Sequence, residues 1–123
     1  MEAKAKLLTF LFAALLISEG QPAPPSWWAL SSLYVGAVAA DVTTTEVGLD
    51  HTGFYERNPA LGRHPSDSRL MATAVITTGA VWYAANRVRL SGRPRLARAM
   101  LITLTVIHFG LASNNHRIVE NSP

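Results

Sequence analysis

The sequence predicts an all-α fold, an integral membrane helical bundle of three spanning helices preceded by a short N-terminal apolar helix or signal segment. The first observation is that the chain contains three long apolar runs, each close to the ~20 residues that cross a bilayer core. The second is composition, because only 15% of the 123 residues are charged and 49% are apolar. A soluble bundle is the alternative, but three wholly apolar helices in so short a chain would have almost nothing to cover them.

The N-terminal apolar segment, residues 7–17, follows Lys4 and Lys6. Small residues at Ser18 and Gly20 are typical of a signal-peptide cleavage site, and the stretch QPAPPS that follows is a stiff linker. We therefore divide the chain into a signal-like or accessory segment, a three-helix transmembrane domain and a polar tail. Their respective ranges are residues 1–26, 27–115 and 116–123.

The three predicted spanning helices cover residues 27–49, 70–86 and 99–115. The first is uncharged until Asp41, the second carries no charge, and the third is uncharged if its histidine is neutral. Trp27 and Trp28 open the first run, and Trp82 lies near the end of the second. In a helical hairpin these ends lie on the same side of a membrane, where an aromatic belt is expected.

Five of the eleven Lys and Arg residues lie between positions 87 and 98. Ser91-Gly92 and Pro94 break the helices there. Because cytoplasmic loops are enriched in Lys and Arg, we place residues 86–98 in the cytoplasm and residues 50–69 outside. If residues 7–17 do not span, the basic residues divide as seven inside against four outside. The prediction is a multi-pass protein of the cell membrane, with the lipid bilayer as partner and no nucleic acid, since the basicity is local.

A polar face follows the outer half of the first helix. Asp41, Thr44, Thr45 and Gly48 fall at i, i+3, i+4 and i+7. Small residues and threonines on such a face suit close helix packing. A carboxylate at this depth costs at least ~2.5 kcal/mol unless it is paired, protonated or hydrated, so Asp41 needs a partner.

His108 is the only titratable residue of the third apolar run, and Asn115 shares its face. Two interpretations of an Asp41–His108 pair stay open here. One is a functional pair, either a proton relay or two ligands of a metal such as zinc. The other, which we favour, is a polar packing seam that fixes the register of the helices.

The connection between the first two helices contains Asn58 and Pro59, a pair that predicts a one-turn helix with Asn58 as its N-cap. Glu56 lies two residues earlier, where its carboxylate can reach the exposed N–H groups. Pro65-Ser66-Asp67 predicts the start of the next helix. Five polar residues of this surface loop could bind a metal, although such residues are more often solvated: Asp50, His51, Glu56, His64 and Asp67.

The sequence lacks several signatures of catalysis. It has no cysteine, which excludes a disulfide framework, a thiolate zinc site and a cysteine nucleophile. It has no Gly-x-Ser-x-Gly motif and no Gly-rich phosphate loop, so nucleophilic hydrolysis and nucleotide binding have no support. We predict no cofactor.

Asp followed by Thr within a helix, then Glu-x-Asn-Pro before the next helix, resembles a family of small prokaryotic integral membrane proteins, domain of unknown function 5658. The matching residues are Asp41, Thr44, Thr45, Glu56, Asn58 and Pro59, with Asn114 or Asn115 less secure. The resemblance covers roughly residues 27–115. It implies a compact three-helix membrane unit without an agreed activity, and the N-terminal 26 residues depart from it.

Two functions follow from these residues. The favoured one is a non-enzymatic membrane protein that self-associates or binds a membrane partner through the polar helix face. The alternative is a membrane-embedded metal-dependent hydrolase, or a proton- or ion-handling site, built on Asp41, Glu56 and His108.

Overall fold

The computed structural model describes residues 22–51 and 53–122. Within those ranges the chain is all-helical, without a strand, which confirms the all-α part of the predicted fold class. Its helices are α1 (Pro25–Leu49), α2 (Asp67–Leu90) and α3 (Pro94–Glu120). Residues 7–17, where the signal-like segment is predicted, lie outside the described residues.

The helices are longer than the apolar runs that predict them. Helix α1 begins at Pro25, in the first turn, where a missing backbone N–H costs nothing. Helix α3 begins at Pro94 and continues to Glu120, so residues 116–120 of the polar tail are helical. The difference arises because a helix requires only its backbone hydrogen bonds, and polar residues extend it beyond the apolar run.

The ends of α2 follow the predicted signals. Ser66 caps α2 by accepting a hydrogen bond from the Arg69 backbone N–H at 3.3 Å. After Leu90 the chain turns through Gly92, whose φ of 84° is easily reached only by glycine. This turn places α3 antiparallel to α2.

The core lies between the turn that joins α2 to α3 and the middle of the bundle. Trp27, Tyr34, Val38 and Leu101 are buried there together with two alanines that allow close helix approach, Ala85 and Ala97. Trp28 stacks on Trp82 with ring centroids 6.2 Å apart, so the aromatic ends of α1 and α2 do lie together. Helix α1 packs more extensively on α3 than on α2.

One described helix, α3, is long enough and apolar enough to cross a membrane. Helices α1 and α2 do not reach the same apolarity, because α1 carries Asp41 and Glu46 and α2 carries charged residues in its first and last turns. The three-span bundle therefore stays a prediction.

Candidate functional site

The structure brings Asp41 of α1 and His108 of α3 into direct contact, a pairing that the sequence left open. His108 Nδ1 lies 2.7 Å from Asp41 Oδ2. An ionised carboxylate can only accept, so the imidazole Nδ1–H donates this bond. The two side chains are 25% and 16% exposed, which leaves both accessible to a small molecule. The partner that Asp41 requires is thus on the neighbouring helix of the same chain.

A second polar contact joins the same helices farther along. Asn115 Nδ2 donates to Thr45 Oγ1 at 3.1 Å. Thr44 does not cross to α3, because its hydroxyl donates to the backbone oxygens of Ala40 and Asp41, both at 3.0 Å. The predicted seam therefore consists of two cross-helix contacts, and Thr44 supports the helix that carries Asp41.

The Glu56-x-Asn58-Pro59 motif shapes the connection between α1 and α2. Glu56 Oε1 accepts a hydrogen bond from Asn58 N at 2.7 Å, and Asn58 Oδ1 accepts one from Ala60 N at 3.0 Å. The Asn58 backbone oxygen also accepts from Leu61 N at 3.0 Å, which closes a turn over residues 59–61. This turn replaces the predicted one-turn helix, since the side chains of Glu56 and Asn58 take up N–H groups locally.

The connection is attached to α2 by a side chain from its first turn. Arg69 donates from Nη2 to the backbone oxygen of Ala60 at 2.9 Å. The Glu56 backbone N–H donates to the Arg63 oxygen at 2.9 Å, which closes the segment on itself. Leu61 is buried beneath it. The connection is therefore a folded cover at this end of the bundle.

A partly open cavity of about 660 Å³ lies between the three helices and the connection. Thr73 and Thr77 of α2 face it from one side, opposite the residues of α1 and α3. Of the candidate residues predicted from sequence, all but Pro59 line this cavity: Asp41, Thr44, Thr45, Glu56, Asn58, His108 and Asn115. Residues spread over 74 positions of sequence thus converge on one space, from Asp41 to Asn115.

The metal interpretation finds no complete ligand set. Across residues 22–51 and 53–122, no three His, Asp or Glu side chains lie close enough together to hold a metal ion. Of the five loop residues considered as ligands, only Glu56 lines the cavity. His51 is used locally, with Nδ1 2.8 Å from the Val47 backbone oxygen. The Asp41–His108 pair stands without a third metal-ligating neighbour in the described residues.

Sequence reasoning missed two features of the site's surroundings. Glu46 is buried on α1 although it does not line the cavity, and the signal for it was a second acid within the helix. Tyr34 lies about two helical turns before Asp41 on α1, and its ring centroid is 6.0 Å from that of His108. The tyrosine limits the positions that the imidazole can take.

The fold and the site together define a small three-helix protein with a polar cavity at one end. No family model, no curated protein and no solved structure matches this chain. The resemblance to domain of unknown function 5658 therefore stays a prediction.

Proposed function

We propose that this chain is a multi-pass integral membrane protein that binds another molecule in its polar cavity and does not catalyse a reaction. The observation that carries the proposal is that the candidate polar residues meet at one cavity. Three helices and their folded connection direct polar side chains into one cavity whose volume is typical of a small-molecule site. Among the described residues that line the cavity, no hydroxyl is hydrogen-bonded to a His, Asp or Glu side chain, and no three His, Asp or Glu side chains form a metal-ligand set.

Membrane insertion is supported by the surface of α3. Most of this helix is not buried, and large apolar side chains cover the face that does not line the cavity: Ile102, Val106, Ile107 and Phe109. A contiguous exposed apolar face of this kind is unfavourable in water and favourable against lipid. A helix of the same composition in the core of a soluble protein would be covered.

Three spans are supported by helix length. Helices α1 and α2 contain 25 and 24 residues, which at ~1.5 Å per residue exceeds the ~30 Å bilayer core. The charged residues of α2 lie in its terminal turns, and Asp41 of α1 is paired. In this arrangement residues 86–98 face the cytoplasm and residues 50–69 face the outside of the cell membrane.

Association with a partner takes a specific form in this proposal. The polar face that the sequence assigns to association is turned inward, since Asp41 and Thr45 contact α3 of the same chain. A second copy or another membrane protein can reach those residues only by placing a segment in the cavity. The molecule bound there is accordingly a small ligand or one inserted side chain, not a packed helix.

The test is native mass spectrometry of the full chain released from native membranes in mild detergent. Thr77 lines the cavity and Thr103 lies on the exposed outer face of α3, so Thr77→Phe fills the cavity and Thr103→Phe is the matched control. We expect the wild type and Thr103→Phe to retain a bound small molecule that Thr77→Phe loses.

Two results would contradict the proposal. One is the same bound mass in all three proteins, which would place the molecule outside the cavity. The other is no bound molecule in any of them, which would remove the binding function. Proton transfer by the Asp41–His108 pair would then be the remaining candidate, because that pair is in direct contact.

A further inference from the structure

Four side chains of the cavity wall use donors in hydrogen bonds within the protein, and two of these contacts leave acceptors. The Nδ1–H of His108 donates to the Asp41 carboxylate, and Nδ2 of Asn115 donates to Thr45 Oγ1. The Thr44 hydroxyl donates to the backbone oxygen of Ala40 in its own helix. Thr77 does the same, donating to the Thr73 oxygen at 2.7 Å. These four side-chain donors of the cavity wall are therefore already in use.

The Asp41–His108 and Asn115–Thr45 contacts leave acceptor atoms on the same side chains. No described residue donates to Asp41 Oδ1 or to Asn115 Oδ1. A neutral imidazole whose Nδ1 carries the proton presents Nε2 of His108 as a third acceptor. A ligand that satisfies these atoms must bring N–H or O–H donors, because two acceptors cannot bond to each other.

The charges of the cavity favour a cation. Asp41 and Glu56 both line it, and the lining contains one permanently positive side chain, Arg57, which is exposed on the connection. Among the described residues, the carboxylate of Asp41 has only the imidazole of His108 as a partner, and the Asp41 side chain is 16% exposed. A partly desolvated carboxylate with one free oxygen is a suitable counter-ion for an ammonium group.

The size and the apolar part of the cavity favour an organic cation. About 660 Å³ far exceeds the space that a bare inorganic ion needs. Apolar side chains line it beside the polar ones, among them Val42, Ala74 and Leu111. Such a wall accepts carbon atoms next to a charged head.

We propose that the cavity binds an organic ammonium group, with the Asp41 carboxylate as counter-ion and with Asn115 Oδ1 and His108 Nε2 as further acceptors. This inference rests on the proposed function of the cavity as a binding site, and it adds the chemical class of the ligand. The same chemistry occurs in a free alkylamine and in the headgroup of an ethanolamine lipid.

The test uses the purified full chain in detergent and measures its midpoint of thermal unfolding against butylammonium chloride. Butanol and sodium butyrate, at matched concentration and ionic strength, are the neutral and anionic controls. Asp41→Asn preserves the side-chain shape and an acceptor for His108 while removing the charge. Asp50→Asn removes the same charge from an exposed residue that does not line the cavity.

We expect only butylammonium to raise the unfolding midpoint of the wild type and of Asp50→Asn. Its apparent affinity should fall about tenfold or more in Asp41→Asn, as the loss of a charge-assisted hydrogen bond predicts. Equal stabilisation by butanol, or an unchanged affinity in Asp41→Asn, would overturn the assignment.

A lipid headgroup and a free amine are distinguished by measuring the stability of the protein in nanodiscs of phosphatidylethanolamine and of phosphatidylcholine. Greater stability in phosphatidylethanolamine than in phosphatidylcholine, lost in Asp41→Asn, identifies a lipid headgroup whose N–H donors matter. Equal stability in both lipids, with butylammonium still binding, identifies a free amine. If butylammonium fails while Thr77→Phe still displaces a native molecule, the ligand class is wrong and the proposed function stands.

Discussion

At the end of the bundle where α2 turns into α3, aromatic and alanine side chains fill the space between the helices, whereas at the opposite end a cavity of about 660 Å³ separates them. We call these the hairpin end and the cavity end. The hairpin end holds the buried Trp27 and Leu101. The cavity end holds the Asp41–His108 contact beneath a folded connection. Side chains fill the space between the helices at the hairpin end. At the cavity end, where Asp41 and His108 meet, a space between the helices remains.

The charges divide in the same way. Five arginines lie at the hairpin end between positions 87 and 98, and that stretch contains no Asp or Glu. The described acidic residues all lie in the other half of the bundle: Asp41, Glu46, Asp50, Glu56, Asp67 and Glu120. The basic residues thus lie at the end where side chains fill the space between the helices, and the acidic residues lie at the end that holds the cavity.

The largest expected effect is a difference in labelling between the two ends of the bundle, which we expect to lie on opposite sides of the membrane. The chain has no cysteine, so single substitutions can be labelled without background. Ser91→Cys reports the hairpin end and His64→Cys the connection at the cavity end, and both positions are exposed. We expect a membrane-impermeant maleimide to label position 64 on intact cells and position 91 only after permeabilisation, since arginine-rich loops stay inside. Labelling of both from outside would show that α2, the helix between them, does not span.

The second effect concerns packing at the hairpin end. Trp82 Nε1 donates to Ser31 Oγ at 3.0 Å, and both side chains are buried. Ser31→Ala leaves the indole N–H without that acceptor, which should cost about 1–3 kcal/mol. The neighbouring Ser32 is exposed, so Ser32→Ala should be almost neutral. Denaturant unfolding in detergent, followed by circular dichroism, measures both. Equal stability of the two variants would mean that this contact does not hold α1 against α2.

Much of the helical arrangement could be predicted because it depends on local pattern. The three apolar runs predict three helices, and Ser91-Gly92 with Pro94 predicts the turn between α2 and α3. The need of Asp41 for a partner was predictable too, because a carboxylate deep in an apolar run is costly unless it is paired. His108 was the candidate partner on α3, but the sequence left open whether the two residues meet.

Other features depend on geometry that no local pattern carries. The Trp82–Ser31 bond requires a particular rotation of α2 about its axis relative to α1. The helix ends extend beyond the apolar runs because polar residues continue them, as residues 116–120 of α3 do. The cavity is a volume left between elements, and its position follows only when all three helices and the connection are placed.

The smallest effect compares the Asp41–His108 contact with an exposed pair on the same helix α3. A double-mutant cycle with Asp41→Ala and His108→Ala should give a coupling of about 1 kcal/mol, because the bond is charge-assisted and partly buried. His116 and Glu120 lie 3.2 Å apart with side chains 66% and 64% exposed, so their cycle should give about 0.3 kcal/mol. Both cycles are measured by denaturant unfolding in the same detergent. If the two couplings are equal, the Asp41–His108 contact contributes no more than a surface pair to holding α1 on α3. A larger coupling for Asp41–His108 that decreases when butylammonium is present would instead show a ligand competing for the same carboxylate.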